Sequence, residues 1–150
     1  MRLNNYTDIP DDVIRAIIRE VKPSGIGNFD VRVSNGQRFR GRAYAYGSGY
    51  HDRACPFIIA AIPKVWRAQI IPARGAYLSM AIGSRMEALV VLLAHELRHI
   101  WQGGSTSKPR RRGMVYGARG RFSERDADAY ALRMLRRYRR GELNLAELTA

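Results

Sequence analysis

The chain has 150 residues, 46% of them hydrophobic, with a formal net charge of +13. This length fits one domain, residues 1–150, with a core that needs no disulfide, and the single cysteine, Cys55, excludes an internal one and suits a reducing compartment. No signal-like apolar core follows Met1, and the longest apolar run, residues 88–94, is too short to span a bilayer, so a soluble, cytoplasmic protein without a membrane partner is expected.

The cations are mostly arginine, since only Lys22, Lys64 and Lys108 are lysines. Such an excess attracts phosphate or acidic protein surfaces, or it simply solubilises the exterior. Residues 8–21 read as a helix, with Asp8 as N-cap, Pro10 in the first turn and apolar residues at helical spacing. Lys22-Pro23-Ser24-Gly25 stops it.

Residues 28–34 and 37–46 read as two strands of a hairpin about Asn35-Gly36, a strong turn signal. In the second, Arg38, Arg40 and Arg42 alternate with Phe39, Gly41 and Ala43, which makes one face cationic and turns the other inward. Residues 47–53 form a loop that carries His51, either a third ligand, a group to polarise a carbonyl, or a solvated side chain. Cys55 fits a small buried residue better than a nucleophile. Pro56 to Ile62 reads as a buried strand, a poorly patterned connection passes Trp66 and Pro72, and residues 76–81 make a short strand.

Ser84 and Glu87 then form a capping box for a helix whose apolar residues, from Ala88 to Gln102, surround His95-Glu96-Leu97-Arg98-His99. Positions four apart on a helix lie one turn along the same face, so both imidazoles can hold one metal ion, with Glu96 beside it as a general base. The competing account is a core helix with two hydrogen-bonded histidines and a surface glutamate. Residues 103–121 are rich in Gly and Arg and read as a flexible basic loop, a solvated linker or else a lid or phosphate-contacting arm. Tyr116 is the residue there with chemistry to offer a transition state.

The last helix spans residues 123–140, with Ala127, Ala131, Met134, Leu135 and Tyr138 as its apolar stripe and Gly141 past its end. Two histidines alone hold zinc weakly, and Glu124 is the best further ligand. Asp128, one turn on, can accept the free ring N–H of a ligating histidine. Ala127, Ala129 and Ala131 let two helices approach. Alternatively, Ser123 and Asp126 are a capping motif, and Glu124 and Asp128 only favour a helix N-terminus.

His95-Glu96-x-x-His99 followed by Glu124-x-x-x-Asp128 resembles the gluzincin metallopeptidases in their short single-domain forms, over residues 76–140. The resemblance implies an α+β, zincin-like fold: a small, mostly antiparallel sheet, an N-terminal helix, an active-site helix and a C-terminal glutamate helix. It implies a zinc metalloendopeptidase in which His95, His99 and Glu124 bind Zn2+, Glu96 is the base and Asp128 supports a ligand. The polypeptide substrate would lie extended against a sheet edge, for which residues 76–81 are the candidate. Arg98 stands where the family usually keeps an uncharged residue, which implies a helix exposed on that side. A third histidine soon after the helix, as in the Spartan-type proteases, is absent. Rival readings are a basic protein that binds nucleic acid or an acidic partner through the loop and last helix, and a catalytically idle zincin-fold interaction module.

Overall fold

The structure is a computed structural model that describes residues 1–44, 56–75, 77–103 and 121–145, the side chains of Arg121 and Phe122 excepted. In chain order the elements are β1 (Leu3–Tyr6), α1 (Asp11–Val21), β2 (Asp30–Asn35), β3 (Arg40–Tyr44), β4 (Phe57–Ile62), β5 (Gln69–Ile71), β6 (Met80–Ile82), α2 (Arg85–Gly103) and α3 (Arg121–Arg139). They build a small α+β fold with three helices and a mixed sheet.

The main sheet has the order β1-β2-β4-β3, with β1·β2 and β2·β4 parallel and β3·β4 antiparallel. This corrects the expected mostly antiparallel arrangement. It also corrects the hairpin: β4 lies between β2 and β3. Gly36 donates its N–H to the Ile62 carbonyl at 3.0 Å, and a Cβ built on it would stand 3.1 Å from the Ala61 Cβ. The glycine therefore serves a close approach to β4 rather than a two-residue turn. β4 can take this central place because Ile58, Ala60 and Ile62 bury completely on one face while its backbone is paired on both sides.

That inward face, with Val31 and Val33, joins one core with α1 and α2. α1 begins after Pro10, and Asp8 is not its cap: the Asp8 carboxylate instead receives the Arg85 guanidinium of α2 at 2.5 and 2.9 Å. α2 is capped as expected, since Ser84 Oγ accepts from the Glu87 N–H at 3.1 Å while Glu87 reaches back to the Gly83 N–H at 2.9 Å.

α3 packs on α2 through Ala127 and Ala131, both fully buried, whereas Ala129 faces solvent. Its start at Arg121 places Ser123 inside the helix, so the Ser123 capping motif is not formed. The helix ends as expected on Gly141 at φ 69°, where Gly141 N–H donates to Tyr138 and Glu142 N–H to Arg137. The chain then folds back and buries Leu143 and Leu145. No described helix is long and apolar enough to cross a membrane.

Candidate metal centre

The α2 face that leaves the apolar core presents His95 and His99 one turn apart, and their Nε2 atoms converge to 3.0 Å. Each ring is oriented by its other nitrogen. His95 Nδ1 donates to Asp128 Oδ1 at 2.8 Å, and His99 Nδ1 donates to Gln102 Oε1 at 2.8 Å. The Gln102 amide is itself fixed, because its nitrogen donates to the Ser123 carbonyl at 2.8 Å and to Asp126 Oδ2 at 3.0 Å. With both Nδ1 positions donating, the two Nε2 lone pairs face one point.

Glu124 enters that point from α3, with Oε1 at 3.1 Å from His99 Nε2 and Oε2 at 3.4 Å from His95 Nε2. Its Oε2 is buried without a hydrogen-bond partner among the described residues. An unpartnered buried carboxylate oxygen is costly unless a cation or proton meets it. His95, His99 and Glu124 thus lie close enough to hold one metal ion, and the sequence named all three.

Electrostatics express the same convergence. Burial pulls the His95 imidazole down, but the carboxylates of Asp128 and Glu124 beside it outweigh this and push it up to about 10. Burial likewise raises Glu124, yet the two imidazoles beside it hold it far below the usual carboxylate range. Glu96 is only 5% exposed, and burial pushes its carboxyl up. Its Oε1 lies 4.0 Å from His95 Nε2, to the side of the three converging atoms, as helical geometry requires.

Glu96 opens onto a cleft of about 600 Å³. One wall is the stretch from Gln37 to Gly41 leading into β3, the edge of the main sheet. Gly41 lies so close that an added Cβ would stand 2.8 Å from Leu92 Cδ1 and 2.9 Å from Glu96 Cγ. Tyr77, Leu78 and Met80 also line the cleft, so the expected edge at residues 76–81 contributes to it together with the main sheet. Asp128 spans the two elements, since its Oδ2 accepts the Leu78 N–H at 2.7 Å while Oδ1 holds His95.

Three participants carried no recognised signal. Gln102 could have been found from its place three residues after His99, on the same helix face. Gly41 and Tyr77 could not, because tertiary packing alone brings them to the site. Arg98 does not mark an exposed side: it clamps Asp126 at 2.7 and 3.2 Å and stacks over Trp101 at 3.8 Å. His51, Cys55 and Tyr116, and nearly all of the basic loop, lie outside the described residues. The terminal arginines of α3 are largely engaged within the chain, with Arg139 on Glu87 and Arg140 and Arg137 on Glu142.

No protein-family model matches the chain, and neither a curated protein nor a solved structure matches it.

Proposed function

We propose that the chain is a zinc-dependent metallopeptidase of zincin-like build that hydrolyses peptide bonds with Glu96 as general base. One observation carries this reading. Zinc bonds of about 2.0–2.1 Å place tetrahedral donors about 3.3 Å apart. Here the two Nε2 atoms stand 3.0 Å apart, Glu124 brings Oε1 to 3.1 Å from one and Oε2 to 3.4 Å from the other, and one ligand atom from each residue lies within 4.8 Å of the other two. Two neutral imidazoles and a carboxylate are a donor set suited to zinc at a catalytic site. The unpartnered Glu124 Oε2 supports the fit.

When bound, the ion supplies Lewis acidity to a carbonyl oxygen and to water. The chain's own groups do the rest. Asp128 and Gln102 lock the imidazole tautomers. Glu96 takes a proton from the attacking water and delivers it to the departing amine, and burial raises its pKa in the direction that suits proton uptake near neutral pH. The edge of β3, unpaired among the described residues, offers backbone groups to an extended polypeptide, and Gly41 brings that edge against Glu96.

The test is elemental analysis of the purified protein beside His95→Ala and Glu124→Ala, with hydrolysis of labelled casein. Stoichiometric zinc in the wild type and its loss in both variants are expected. Glu96→Gln should keep zinc and lose at least about 10²-fold in kcat. Wild-type protein without zinc, or full activity in Glu96→Gln, refutes the reading.

A further inference from the structure

The metal centre leaves one requirement of peptide hydrolysis unmet by His95, His99, Glu124 and Glu96: a donor for the charge that develops on the substrate's carbonyl oxygen. Tyr77 stands on the cleft wall beside those groups. Its ring lies nearly parallel to the His95 imidazole, at 20° and 6.5 Å between centroids. Among the described residues lining the cleft it is the one that carries a hydroxyl.

The backbone around it is pinned. Arg74 and Tyr77 exchange two hydrogen bonds, 3.1 and 2.9 Å long, in an isolated bridge. On its other side the Leu78 N–H binds the Asp128 carboxylate that holds His95. The loop is thus referenced to the imidazole itself, so the phenol and the metal ligands share one frame. The side chain nevertheless remains 47% exposed, open to whatever enters the cleft. Pinned at its base and with its hydroxyl beside the Glu124 carboxylate, it suits a group that meets charge on the substrate.

We propose that Tyr77 is a catalytic residue that donates its hydroxyl hydrogen bond to the scissile carbonyl oxygen as that oxygen becomes an oxyanion, a role that rests on the peptidase reading. As the water oxygen bonds to the carbonyl carbon, the π pair moves onto the carbonyl oxygen and Tyr77 donates to it. Glu96 takes the proton of that water. When the pair returns, the C–N bond breaks and Glu96 passes the proton to the amine nitrogen. Tyr77 ends with its own proton.

The variant is Tyr77→Phe in the full chain, with zinc content, the visible spectrum of the cobalt(II)-substituted protein, casein hydrolysis and binding of a blocked dipeptide phosphonamidate as readouts. Expected are unchanged zinc, an unchanged cobalt spectrum, an unchanged KM and a kcat lower by about 10²-fold. Affinity for the tetrahedral phosphonamidate should fall by at least about tenfold. Equal kcat and equal phosphonamidate affinity in Tyr77→Phe overturn the proposal while leaving the peptidase reading intact. Loss of zinc or a changed cobalt spectrum also overturns it, by assigning Tyr77 to holding the ligands. A zinc-loaded wild type that cleaves no casein overturns the peptidase reading first, and the Tyr77 role with it.

Discussion

Gln102 is fully buried and is the hinge pin between the helices that carry His95, His99 and Glu124, so its truncation is the sharpest structural test. In Gln102→Ala, the Ser123 carbonyl keeps its place in the α3 ladder and Asp126 keeps Arg98. The group left stranded is His99 Nδ1–H, whose acceptor at 2.8 Å is gone. A buried donor without a partner costs about 1–3 kcal/mol, and the void adds to it, so a loss of about 2–5 kcal/mol is expected. The freed imidazole can also turn or change tautomer, which should weaken zinc by about 10- to 100-fold. Guanidinium unfolding with chelator present reads the first effect, and competition with a chromophoric chelator reads the second. Gln102→Glu separates them: it keeps an acceptor for His99 but loses the N–H donors and sets a second carboxylate beside Asp126. Stability should fall comparably while zinc affinity falls by less than about tenfold. Zinc affinity within twofold of wild type in Gln102→Ala refutes the orienting role.

Gly41→Ala should retain zinc yet lose about tenfold or more in casein hydrolysis, because the new methyl group pushes on Leu92 and displaces Glu96. Overpacking of this kind also costs about 1–3 kcal/mol, and undiminished activity would show that the edge strand does not position the base. Asp8 is lowered from 3.8 to about 2, chiefly by its hydrogen bond to Arg85, so its contribution to stability is present above about pH 4 and disappears as pH falls through about 2. The Tm difference between wild type and Asp8→Asn should therefore be constant above about pH 4 and vanish near about pH 2. Tyr130 donates to the Val21 carbonyl at 2.6 Å, so Tyr130→Phe should cost about 1–2 kcal/mol by urea unfolding with zinc content unchanged.

What local sequence dictates was legible. The α2 cap, the end of α3 at Gly141 and the three converging donors follow from spacing along single helices, plus one long-range guess that α3 meets α2. What failed depends on partners distant in the chain. Asn35-Gly36 has turn chemistry, but β4 competes for both flanking strands and wins with three fully buried side chains. β1 and β5 are too short to show a period and exist through pairing with β2 and β6. Asp8 follows capping preference, yet a guanidinium 77 residues away in the chain takes its carboxylate. Arg98 looks solvent-bound until Asp126 and Trp101 enclose it.

The polar ties between α2 and α3, Arg98 to Asp126 and Gln102 to Ser123, stand at the two ends of the connection over residues 104–120. His99 is oriented by Gln102 on its own helix, and His95 by Asp128 across the helix pair. Among the described residues, the face that carries His95 and His99 is therefore moored to Glu124 by side chains of the two helices themselves, so one helix cannot slide along the other without breaking these ties.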